Sequence, residues 1–218
     1  MTDGAFVAVA KIKGGVGATS LAVTLAVAMR RAGRDVALLD ADPQASATRW
    51  LERFEAGVPI VPVETGEDPR GATIEAARRA LELAPFVVAD PPPSSLDVLR
   101  VLVSIADLLV VPSGPALEEI HLARRTLEIA AQEATLRRRK VRAVIVPTRI
   151  DAQTRIGRDA LDVLADLGFP VAPALSHRVA WPEAMSAGVP IFDSPRAADA
   201  IREARAVVDF ITAALTNS

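Results

Sequence analysis

The chain has 218 residues, half of them apolar, with 25 basic against 27 acidic side chains and a net charge of −2. That length predicts one domain spanning residues 1–218, and the charge leaves no global positive field, so any nucleic-acid contact must rest on a local patch. With no cysteine, disulfides, thiolate metal sites and cysteine-held iron–sulfur clusters are excluded, and two histidines argue against a histidine-rich metal site.

The start, MTDGAF, lacks the basic opening and long apolar core of a signal peptide. No apolar run reaches the roughly 18–20 residues that span a bilayer, so the expectation is a soluble cytoplasmic protein. Phe6–Ala10 is the first candidate strand. KIKGGVGATS (11–20) follows it, and a helical pattern over Ser20–Ala32 comes next. Strand, glycine-rich loop and helix form the layout of a phosphate-binding loop. Gly14, Gly15, Val16 and Gly17 would turn backbone N–H groups toward an anion, and the helix start behind them adds positive dipole. Thr19 follows the loop, where a hydroxyl can ligate Mg²⁺, and Ser20 is placed to bond a phosphate oxygen. Lys13 stands directly before the glycines. Ala18 stands where such loops carry their phosphate lysine.

The second strand, Val36–Leu39, ends in LLDADPQ. Asp40 and Asp42 are one residue apart, so both reach one pocket if the backbone stays extended. A carboxylate there can orient an attacking water or hold a metal's water shell. Ala45–Glu55 reads as a helix, Ile60–Val63 as a strand and Gly71–Leu83 as a helix, with GEDPRG (66–71) a surface connection. The strand Phe86–Ala89 ends in FVVADPPP, and Asp90 after four apolar residues has the setting of a metal-steering acid. The prolines make the next segment stiff and non-helical.

The remaining pattern is helix Ser95–Ile105, strand Leu108–Val111, helix Pro115–Arg138, strand Val141–Val146, helix Thr154–Leu167, strand Val171–Ala174, a short helix near Pro182–Ala187 and helix Pro195–Leu215. Such alternation predicts an α/β fold, a mainly parallel sheet with helices on both faces, and ligands at the carboxyl ends of the strands. The run Arg137, Arg138, Arg139 and Lys140 reads as a solvated helix end and as a candidate DNA patch. Trp50 and Trp181 read as packing residues and His177 as a polar loop residue. The last helix carries Ile201, Ala204, Val208, Ile211 and Leu215 on one stripe with no basic residue after Arg205. That reads as a core-packing helix, not a membrane anchor.

Together, KGGVG, DADPQASATRW (40–50), VVADPPPS (87–94) and HRVAWPEAMSAGVPI (177–191) resemble the ParA/MinD group of deviant Walker A ATPases, the short ParA type most closely. The resemblance spans nearly the whole chain and implies a three-layer P-loop NTPase fold with ATP and Mg²⁺ as ligands. It implies an ATP-state homodimer, non-specific DNA binding, and cargo positioning on the nucleoid with a ParB-like or other adaptor. By position it makes Lys13 the signature lysine reaching the partner's nucleotide and Asp42 the hydrolytic switch. It places Thr19, Asp40 and Asp90 around the metal, Pro147 and Thr148 around the adenine, and Arg178 among the DNA contacts. Two departures stand out. PTRID (147–151) lacks the asparagine that often precedes the arginine. Ala18 leaves three readings open: a slow natural variant, an assembly factor without hydrolysis, or an engineered lysine-to-alanine change. The alternative function is a MinD-like, non-hydrolysing ATP-binding scaffold in a secretion or polysaccharide machine.

Overall fold

The computed structural model describes residues 4–54, 56–64, 66–93, 95–138 and 142–216. Among the described residues six strands pair in parallel: β1 (Ala5–Val9), β2 (Val36–Asp40), β3 (Ile60–Pro62), β4 (Phe86–Asp90), β5 (Leu108–Ser113) and β6 (Ala143–Pro147). Their order across the sheet is β3-β2-β4-β1-β5-β6. Strands rich in Val, Leu and Ala without polar alternation suit a sheet covered on both faces. β1 shows the division: Ala5, Val7 and Val9 enter one core, while Phe6, Ala8 and Ala10 enter the other.

The first core is covered by α1 (Ala18–Arg31), α2 (Ser46–Arg53), α7 (Ala180–Ala187) and α8 (Ala198–Thr216). The second is covered by α3 (Pro69–Leu83), α4 (Leu96–Ile105), α5 (Leu117–Leu136) and α6 (Arg155–Ala165). This is the three-layer α/β fold expected. The capping chemistry is local. The Asp68 side chain accepts from the Gly71 N–H ahead of Pro69, and Thr154 accepts from Gly157, as N-cap side chains do. The stripe on the last helix packs inward, with Ala204, Val208, Ile211 and Leu215 buried.

The structure differs from the sequence expectation at two places that matter for the site. The first helix begins at Ala18, two residues before the expected Ser20, because Gly17 takes a left-handed φ of 80° and its carbonyl accepts from Leu21 N–H. The loop's last residues are therefore the helix's first turn. The expected strand Val171–Ala174 is not formed; Val171 and Leu175 make only isolated bridges to Ile145 and Thr148 beside β6. Pro170 and Pro173 lack N–H groups, so a continuous ladder cannot run there.

Candidate functional site

The carboxyl ends of β1, β2, β4, β5 and β6 converge on one edge of the sheet. Asp40 and Asp90 are register partners on β2 and β4, and Ser113 and Pro147 on β5 and β6. Between them runs the glycine loop after β1. Gly15 and Gly17 both hold φ near 80°, a region that a Cβ strains. The N-terminus of α1 carries no side-chain cap, which leaves its first N–H groups to a ligand or solvent. Thr148, just past the end of β6, is buried and donates its hydroxyl to the Val16 carbonyl at 2.9 Å. It thus locks the loop to the far strand.

A pocket of about 160 Å³ opens beside the loop, lined by Gly15, Gly17, Ser20, Leu21, Thr148 and Arg149 on one side. The chain from Leu175 to Arg178, with Trp181 and Pro182, closes the other side. Thr148 therefore borders this pocket, whereas Pro147 is buried in β6 and its carbonyl accepts from Leu175 N–H. The indole of Trp181 borders this pocket. Trp50 is a packing residue, buried and donating Nε1–H to the Val189 carbonyl at 3.0 Å. Arg149 lies in left-handed backbone with φ 56°. It pairs with the buried Glu119 at 2.5 Å, and its Nε is buried without a partner among the described residues.

Asp90 is fully buried at the heart of the site. Thr19 donates its hydroxyl to Asp90 Oδ2 at 2.7 Å. Lys11 donates from Nζ to Asp90 Oδ1 at 2.8 Å, and Nζ stands 3.5 Å from Thr19 Oγ1. Burial pushes the Asp90 carboxyl above its ordinary value, against the opposing pull of Lys11 and of the Lys11 and Thr19 hydrogen bonds. A divalent cation would need a lone pair of Thr19 and a carboxylate oxygen of Asp90. The atoms are of the right kind, but both carboxylate oxygens are engaged and an ammonium sits against the pair. The residues as arranged do not fit Mg²⁺.

Asp40 lies close enough for its charge to add to the upward push on Asp90, and its own oxygens accept three hydrogen bonds. Its Oδ2 accepts from the Thr48 N–H at 2.9 Å and the Thr48 hydroxyl at 2.8 Å, and its Oδ1 from Asp42 N–H at 3.2 Å. It anchors the start of α2 and the loop before it. Asp42 is half-buried, and its Oδ1 accepts from Gln44 N–H at 2.9 Å, an Asx turn that presents the following residues. Lys13 is exposed at the loop surface and makes no ion pair among the described residues. Ala18 is buried in the first core.

Of the DNA candidates, Arg178 is half-buried and tied to acidic residues of its own chain. It pairs with Glu203 at 2.8 Å and Asp199 at 3.4 Å, and Glu203 also accepts from Ser176 N–H and its hydroxyl. Arg137 and Arg138 are exposed at the end of α5; Arg139 and Lys140 lie outside the described residues. The sequence reading missed Lys11, Arg149 and the pocket role of Trp181. For Lys11 a signal existed. It stands between Ala10 and Ile12, continuing a buried strand, where a lysine needs a partner.

Residues 7–191 match the CbiA family, described as the CobQ/CobB/MinD/ParA nucleotide binding domain. Maintenance of carboxysome distribution protein A of Halothiobacillus neapolitanus is 27% identical over 191 residues, 85% of each chain. The protein of that name from Gloeobacter kilaueensis is 32% identical over 170 residues, 77% of this chain and 74% of the other. The solved structure of a Cyanothece McdA variant in complex with ATP has a TM-score of 0.77 over 97% of this chain and 98% of the other. At 16% identity that likeness is one of fold.

Proposed function

Because the chain belongs to the CobQ/CobB/MinD/ParA family of nucleotide-binding domains, we infer that it is an ATP-switched positioning protein of the ParA kind. The observation that carries this reading is the uncapped start of α1 behind two left-handed glycines, opening onto the pocket bordered by Thr148 and Trp181. Backbone N–H groups of Gly14 to Ser20 would hold the phosphates, and the pocket would take the base. The nucleotide, not Mg²⁺, is the ligand proposed, since Lys11 occupies both side chains the metal would use.

In this reading two subunits close face to face over the nucleotides. Lys13 is exposed beside the loop, so it is placed to cross to a second copy and offset charge developing there, as an arginine finger does. Asp42 follows an anchored strand end and orients the attacking water. DNA contacts fall to Arg137 and Arg138, with Arg139 and Lys140 as further candidates; Arg178 would have to give up Glu203 first. Cargo is a DNA molecule or a large cytoplasmic body coupled through an adaptor, with the nucleoid as the track. The two carboxysome-distribution relatives favour the second kind of cargo. No helix among the described residues is long and apolar enough to cross a membrane.

A second reading, an ATP-binding scaffold without turnover, draws on one observation. Ala18 is buried in the first core, and its methyl group offers the phosphates no charge and no hydrogen bond. One pair of measurements tests both. Mass by light scattering with ADP and with a non-hydrolysable ATP analogue should show a dimer only with the latter, lost in Lys13→Ala. Phosphate release then separates them: measurable turnover supports the positioning ATPase, and dimerisation without turnover supports the scaffold.

A further inference from the structure

We propose that Lys11 is a built-in replacement for the divalent cation of this site, so that the chain binds ATP with little dependence on metal. The proposal rests on the nucleotide reading above. Lys11 is only 6% exposed and Asp90 is fully buried. Burying a lysine is costly unless the charge is paired. Its partners here are the two side chains that a metal would use. The ammonium bonds Asp90 Oδ1 at 2.8 Å and lies 3.5 Å from Thr19 Oγ1, while Thr19 itself closes on Asp90 Oδ2.

Three further observations point the same way. The chain has only three lysines among its 25 basic residues. Two of them flank Ile12 at the phosphate loop, and position 18 has none. One positive charge is lost from the loop helix and one appears at the metal position. Asp40, the other acid at these strand ends, spends both oxygens on Thr48 and Asp42. Those three bonds tie its carboxylate to the start of α2 and the loop before it. Among the described residues no group of three acidic or histidine side chains could hold a metal. An ammonium is a compact charge with three donors. Its two contacts leave one donor for a phosphate oxygen, which gives the site the charge and a bond that a cation would have given.

The simpler alternative is that Lys11 merely neutralises Asp90 and gives way to Mg²⁺ when nucleotide arrives. A fluorescent ATP analogue, titrated into the full chain in Mg²⁺ and in excess EDTA, separates the two. The expected result is an affinity that differs by less than about threefold between the conditions. Lys11→Met keeps the length and removes the charge. It should weaken binding in EDTA by about tenfold or more, with Mg²⁺ restoring it. Mn²⁺ supplies a readout independent of affinity. Water-proton relaxation should report no protein-held Mn²⁺ in the parent–ATP complex, and should report it in Lys11→Met.

A fall of more than about tenfold in EDTA for the parent chain would overturn the proposal and leave the ATP reading standing. So would metal-free binding untouched by Lys11→Met. Failure to bind in either condition would overturn the ATP reading itself. Should Lys11→Met not fold, as judged by its thermal melt, the parent comparison and Lys11→Gln still decide.

Discussion

Gly15 holds φ 80° with nothing within 4 Å of the place a Cβ would occupy. Gly15→Ala therefore isolates backbone strain from collision. It should destabilise the fold by about 1–2 kcal/mol, read from urea unfolding, because a left-handed residue other than glycine pays that cost. Ala18 presents the opposite case, a position where the backbone is helical and the side chain is what counts. Ala18→Lys should tighten ATP binding by about tenfold, the order of one charge-assisted phosphate contact. Fluorescent-nucleotide titration of the two proteins checks it. An unchanged affinity would mean that Lys11 already fills the electrostatic need. At this scale the sequence was legible wherever a residue type has one common reason to be present. Gly15 and Gly17, which hold left-handed backbone in the loop, fall in that class. At Lys11 the only signal was its place between Ala10 and Ile12 after a buried strand, because a lysine at a strand end otherwise reads as a surface residue until its burial is known. The sequence was illegible at Asp40, whose acceptors are claimed by Thr48 eight residues on.

The anchoring of α2 by Asp40 is a property of an element and can be measured as one. Asp40→Ala removes three hydrogen bonds from a buried carboxylate. It should speed amide exchange at Thr48 and loosen α2 by about 2 kcal/mol, the value of bonds to a charged group. A similar clasp holds the start of α8 to the loop after Leu175. Burial pushes the Glu203 carboxyl up, but the bonds from Arg178 and Ser176 outweigh it, and the net shift is downward from 4.5. A lowered folded value means the clasp stabilises above the ordinary carboxylate range and fades as pH falls through that lowered value. The thermal midpoint of Glu203→Gln should lie below that of the parent at about pH 7, and the gap should narrow as pH falls below the ordinary carboxylate range through the lowered folded value. Helix and strand order was readable because apolar runs and helical stripes alternate cleanly. Val171–Ala174 misled because its apolar run looks like a strand, while its prolines forbid the ladder.

At the scale of the molecule, the near-neutral charge limits the DNA binding proposed above. If only Arg137, Arg138 and their neighbours touch phosphates, each subunit neutralises few of them. The salt dependence of binding should be correspondingly shallow, about −0.9 in log–log slope per contact. Arg137→Ala with Arg138→Ala should weaken all sequences alike, as fluorescence anisotropy across a salt series would report. The fold as a whole was legible because a parallel sheet covered on both faces leaves a strong apolar signature. The direction of each arginine was not, because pairing with Glu203 or Glu119 depends on distant parts of the chain. The sheet order has one more consequence, for synthesis. The strand that leads into the phosphate loop is the first made, yet it lies between the fourth and fifth strands. A nascent chain must therefore extend past Ser113, more than half its length, before that first strand has both neighbours. Until then its apolar residues have no bed, and pairings between distant segments form slowly. ATP can give no help during that interval, because its binding loop is not yet braced. The early chain is the stage most exposed to aggregation, and the stage at which a chaperone would matter most.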